Sequence, residues 1–118
     1  MEPQEVIKKA YEHFNNRNID KVFETMNPDV DWPNGWEGGY VKGYEAVRDY
    51  WTRQWAAINP NAQPLCFKVL DDGRLEVQVH QTVKNLEGEM IFDGYLKHTY
   101  TFRNGLIQKM EIQKPESK

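Results

Sequence analysis

Apolar residues recur at three- and four-residue spacing through Val6, Ile7, Ala10, Tyr11 and Phe14, which predicts a helix with one buried face. Pro3 suits its first turn, where a missing N–H costs nothing, and Asn15-Asn16-Arg17 ends it. Asn18 is placed to cap a short second helix, with Asp20 near its positive end. Ile19, Val22, Phe23 and Met26 supply the buried side of that helix, and Asn27-Pro28 stops it. Asp29 to Trp32 alternates polar with apolar and predicts a short strand with Val30 and Trp32 inward.

From Pro33 to Gly43 the periodicity lapses, and Gly35, Gly38, Gly39 and Gly43 predict a long loop. Trp36 and Tyr40 lie within it, and aromatics of that size argue for the wall or lid of a cavity. A third helix is predicted from about Tyr44 to Ile58, with a stripe of Val47, Tyr50, Trp51, Gln54, Trp55 and Ile58; Asn59-Pro60-Asn61 breaks it. The period then changes to two. Leu65, Phe67 and Val69 alternate up to the turn at Asp71-Asp72-Gly73, and Leu75, Val77, Val79, Gln81 and Val83 share one face of the next strand. In a longer strand from about Met90 to Arg103, Phe92, Gly94, Leu96, His98, Tyr100 and Phe102 face one way. Asn104-Gly105 is a hairpin signal, and the last strand is expected to turn Leu106, Met110 and Ile112 inward. Helices followed by a meander predict an α+β fold, with the helices on one face of a curved, antiparallel sheet.

The length of 118 residues suits one domain, 1–118, with a polar tail from about 114. An aromatic content of 13% favours a pocket or a broad aromatic interface over a plain core. The net charge of −3 is spread along the chain, so no basic stripe offers itself to nucleic acid. Without a long apolar run or a signal-like N-terminus, no membrane partner is expected and the cytoplasm is the default location. The single Cys66 cannot close an intramolecular disulfide. The three histidines fall in different elements, and glycine-rich phosphate or dinucleotide motifs are lacking, so neither metal nor cofactor is expected.

The candidate chemistry centres on His98, on the strand face predicted to look into the fold, where an imidazole can carry protons near neutral pH. The plainer alternative is a core histidine satisfied by a backbone carbonyl or by Tyr100. Asp31 and Asp93 are the acid–base candidates beside it, each needing a bulge to re-aim it inward, and Gly94 marks a place for one. Trp32 and Trp36 are expected to contact a ring-containing or otherwise hydrophobic ligand. Trp51 and Trp55, four apart on the third helix, read most simply as core packing against the sheet.

Four segments carry a resemblance to a known family: the NNRNIDKV helix junction, the NPDVDW approach to the first strand, Gly43-Tyr44-Glu45-Ala46-Val47, and the TFRNGLI hairpin. Together, over Val6 to Ile112, the chain resembles the nuclear transport factor 2-like superfamily, in its SnoaL-like and ketosteroid-isomerase-like branch. The WPNGWEGG loop resembles a subgroup of small SnoaL-like proteins. The resemblance implies a cone-shaped α+β barrel, with three N-terminal helices in the concave face of a strongly bent, mainly antiparallel sheet. It also implies a homodimer through the outer sheet face. Ketosteroid isomerases place their general base where this chain has Asn34, which carries no titratable carboxylate. Their oxyanion-hole tyrosine and protonated aspartate correspond to about Ala10 and His98, and Tyr11 points some 100° away round the helix. The isomerase set is therefore not matched. What the resemblance leaves is a pocket of Tyr11, Phe14, Trp32, Asn34, Trp36, Tyr40, Trp51, Trp55, Tyr100 and Met110. Such a pocket suits either acid–base catalysis on a small hydrophobic molecule, of the isomerase, cyclase or lyase kind, or binding alone, and a structural dimer with a vestigial cavity is the third possibility.

Overall fold

A computed structural model describes residues 2–34 and 38–113. Helix α1 spans Pro3–Asn15 and buries Val6, Ile7, Ala10 and Tyr11, the stripe its spacing predicts. Helix α2 spans Ile19–Phe23, with the Asn18 side chain accepting from the Lys21 N–H at 3.3 Å. Helix α3 spans Tyr44–Ala57 and buries Val47, Tyr50 and Trp51. Gly43 precedes it at φ 87°, a conformation that favours glycine, and an added Cβ would lie 3.4 Å from the Pro28 carbonyl oxygen.

Six strands follow the order β2-β1-β6-β5-β4-β3 in one mixed sheet. They are β1 (Met26–Pro33), β2 (Tyr40–Lys42), β3 (Ile58–Val69), β4 (Leu75–Asn85), β5 (Met90–Arg103) and β6 (Leu106–Gln113). Every neighbouring pair is antiparallel except β1 and β6, which run parallel. The class is α+β, as the alternation of periods predicts.

Several boundaries differ from the sequence reading, each for a physical reason. Met26 opens β1 instead of closing α2, because the Ile107 N–H bonds the Thr25 carbonyl at 2.9 Å and draws the chain into the sheet. Part of the expected loop is strand: Tyr40–Lys42 pairs with Asp31–Pro33. Helix α3 ends at Ala57, just ahead of Asn59-Pro60-Asn61 as expected, but β3 runs straight on from Ile58 through those residues; Pro60 and Pro64 are tolerated there because β3 is the edge of the sheet. On β6, Ile107 rather than Leu106 is fully buried. The register passes from Thr101–Lys109 to Phe102–Ile107, and the bulge at Gln108 lets Ile107 and Met110 both turn inward. The Asn104-Gly105 hairpin has the two positive φ angles (56° and 82°) that such a turn requires.

The core joins all three helices to the inner sheet face. Ile7, Val22, Val30, Val47, Val77, Val79 and Ile107 are excluded from solvent or nearly so. Among the described residues no helix is long and apolar enough to cross a membrane.

Candidate functional site

Between the helices and the sheet lies a cavity of about 610 Å³, a size usual for small-molecule sites. Helix α1 contributes Tyr11 and Phe14, α3 contributes Tyr50 and Trp51, and β1 contributes Trp32. The inner row of β5, from Phe92 through Gly94, Leu96 and His98 to Tyr100, forms much of the sheet side. This row keeps a single parity because the bulge of β5 falls earlier, at Ile91, between the Val83–Phe92 and Lys84–Met90 pairs. Trp51 is the centre of the aromatic wall: Phe14 and Trp32 meet it edge-on at 5.3 and 5.5 Å, and Trp55 stacks on it at 5.7 Å.

His98 is buried in that wall. Its Nδ1 lies 2.7 Å from the Tyr11 hydroxyl, and the Tyr100 hydroxyl donates to the Tyr11 oxygen at 2.9 Å. Since Tyr100 already donates to Tyr11, the arrangement that also gives the buried Tyr11 proton an acceptor within this trio has it donate to Nδ1, with the ring's own proton on Nε2. Nε2 is buried and has no hydrogen-bond partner among the described residues. Burial pushes the imidazole pKa down to about 4, so His98 is neutral at physiological pH. Burial also raises both phenols, Tyr11 with a contribution from Tyr100 beside it. The arrangement is a neutral donor, held in one tautomer, at a dry and mostly aromatic surface. Its chemistry is that of a hydrogen bond to an oxygen that gains negative charge.

The other candidates divide. Tyr11, Phe14, Trp32, Trp51, Tyr100 and Met110 line the cavity. Trp55 stands behind Trp51, packed on Phe14 at 5.4 Å and under the Arg17 guanidinium at 4.9 Å, and is not in the lining. Asn34 is buried in the turn closed by its own N–H to the Gly39 carbonyl (2.8 Å), outside the cavity wall. Tyr40 is half exposed, with the Lys109 ammonium 5.2 Å from its ring centre, and also lies outside. Trp36 falls outside the described residues.

Neither aspartate is re-aimed into the cavity. Asp31 keeps the parity opposite to Trp32 and pairs with Lys42 at 3.3 Å. Asp93 sits in regular register opposite Thr82 and bonds His80 Nε2 at 2.7 Å. The bulge that would turn it lies two residues away, and Gly94 instead makes room for the Phe92 ring, which would stand 3.0 Å from a Cβ at that position.

The hydroxyl chain from Tyr100 through Tyr11 to His98 is absent from the sequence reading. Its signal was present: Tyr11 lies on the buried stripe of α1, and a buried phenol needs a partner. No metal-ligating cluster occurs among the described residues.

The profile of the SnoaL-like domain matches residues 7–110. Among solved structures the chain is similar to TerC, co-crystallised with polyporic acid, at 25% identity over 96% of this chain and 91% of that one, with a TM-score of 0.83. It is similar to a nuclear transport factor 2-like protein of unknown function from Burkholderia pseudomallei, at 21% identity over 98% and 92%, TM-score 0.83. A protein from Sinorhizobium meliloti provisionally named a polyketide cyclase matches at 21% identity over 96% and 100%, TM-score 0.78. The last two likenesses carry the fold alone. No curated protein matches the chain by sequence.

Proposed function

The chain belongs to the SnoaL-like domain family, and we propose that its cavity binds a small, hydrophobic, ring-containing molecule whose carbonyl oxygen accepts a hydrogen bond from His98 Nε2. On this reading the contact promotes a cofactor-independent isomerisation, cyclisation or lyase reaction by stabilising the oxyanion that develops as a neighbouring proton passes to solvent water. The observation that carries the proposal is the Nε2 atom itself, buried and without a partner on a residue that lines the cavity. A buried donor left unsatisfied costs about 1–3 kcal/mol, and a ligand oxygen would recover that cost. The aromatic wall around Trp51 supports a flat ligand, and the likeness to TerC, co-crystallised with polyporic acid, supports a small organic one.

One observation favours a second reading, in which the protein binds such a molecule without transforming it. None of the residues in the described cavity lining is a carboxylate, and Asp31 and Asp93 are engaged elsewhere, so a partner base for His98 is missing from that wall.

A thermal-shift screen against ring-containing ketones and polyketide-like aromatics, followed by tryptophan fluorescence, supplies the ligand. With it in hand, His98→Phe separates the two readings. The enzyme reading expects turnover to fall about a hundredfold or more, with affinity falling only about tenfold. Turnover unchanged in that variant would sink the role given to His98, and binding without turnover in the wild type would leave the carrier.

A further inference from the structure

Exposure along the inner row of β5 falls from 43% at Phe92 to 5% at His98 and 2% at Tyr100. The cavity therefore has an open end near Phe92 and a deep end at His98. At the deep end the two tyrosine hydroxyls are occupied with each other and with His98 Nδ1, and Nε2 is the atom left over.

The composition of the wall is as telling as its shape. The described lining contains no Asp, Glu, Lys or Arg. The charged side chains of the same strands lie on the opposite sheet face, where Lys97 reaches Glu76 at 4.0 Å and Asp93 bonds His80. An ionised group carried to the deep end would give up its hydration and find no countercharge, at a cost of several kcal/mol. Burial that keeps His98 neutral removes the one titratable group of the described lining able to supply a positive charge there.

We propose that the cavity selects its ligand by charge: it takes a neutral, ring-containing molecule that presents a carbonyl oxygen to His98 Nε2, and it rejects one whose group at that end is an ionised carboxylate or phosphate. The proposal rests on the cavity being a ligand site and adds the chemical class admitted to it. Acidic compounds enter as the conjugate acid. Ketones, aldehydes and esters enter as they are.

The test uses three near-isosteric probes, 2-acetylnaphthalene, methyl 2-naphthoate and 2-naphthoate, titrated at pH 7.5 by tryptophan quenching and calorimetry. The ketone and the ester should bind at least about tenfold more tightly than the carboxylate. Lowering the pH toward 5 should narrow the gap as the free acid accumulates. His98→Phe should weaken ketone and ester binding about tenfold while the carboxylate stays rejected, and His98→Gln, which keeps a donor, should hold the ketone more tightly than His98→Phe does; a cooperative melt confirms that each variant is folded. Carboxylate binding as tight as ketone binding at pH 7.5 would overturn the charge selection and leave the cavity reading standing. Ketone affinity unchanged in His98→Phe would overturn the assignment to Nε2. Binding of none of the three would overturn the cavity reading itself.

Discussion

His80 on β4 and His98 on β5 each hold one ring nitrogen 2.7 Å from an oxygen, yet the two faces of the sheet give them opposite surroundings. His98 looks toward the helices, takes a neutral phenol as partner and keeps its second nitrogen dry. His80 looks outward, takes the Asp93 carboxylate and stacks on the half-exposed Tyr95 at 4.9 Å. The outer pair shares its charge with water, whereas the inner pair is arranged so that no charge forms. Parity along a strand, one residue either way, decides which chemistry a histidine is given.

The largest test of that contrast is pH. The imidazole of His98 titrates near 4 in the folded chain against an ordinary value of 6.5. Between those values the unfolded chain binds a proton that the folded chain refuses, so the stability present above pH 6.5 is lost as pH falls toward 4. At about 1.4 kcal/mol per unit the loss is about 3 kcal/mol. Urea melts from pH 7.5 to 4 should show this slope in the wild type and in His80→Gln but not in His98→Phe. If His98→Phe keeps the slope, the contrast collapses.

A smaller effect is expected from Tyr11→Phe, which leaves both His98 Nδ1 and the Tyr100 hydroxyl buried without their shared partner. Denaturation midpoints should report a loss of about 1–3 kcal/mol. Removing the outer hydroxyl with Tyr95→Phe should stay within about 0.5 kcal/mol. Asp93→Asn should likewise stay below about 0.5 kcal/mol, and its effect should fade as salt rises, since that pair is solvent-exposed. A large, salt-independent loss there would mean that the outer face is buried in some assembly.

What the sequence made legible follows the same logic. Alternation over Leu75–Val83 and Phe92–Tyr100 is a local signal, and it put His98 on the inner face without any knowledge of the helices. The link from His98 to Tyr11 spans 87 positions and depends on how α1 is rotated against the sheet, which no local pattern encodes. Glycines made β2 look like loop, although its pairing with Asp31–Pro33 overrides propensity. The aspartates were ambiguous because a bulge anywhere nearby would have turned them. Register breaks fall at Ile91, at Gln108, at Leu65 on β3 and between Met26 and Asp31 on β1, and none of them turns either aspartate into the cavity.

Pro60 and Pro64 lie on β3, at one end of the six-stranded order. Neither carries an N–H, so the free rim of the sheet is missing donors at both positions and offers an incomplete template to an incoming strand. Lys68 adds an exposed charge along the same rim. At the opposite end β2 is three residues long, too short to seed a neighbour. When many copies are crowded together, strand-by-strand growth into fibres is thus hindered at both ends, although Leu65 and Val69 lie bare beside the guarded rim.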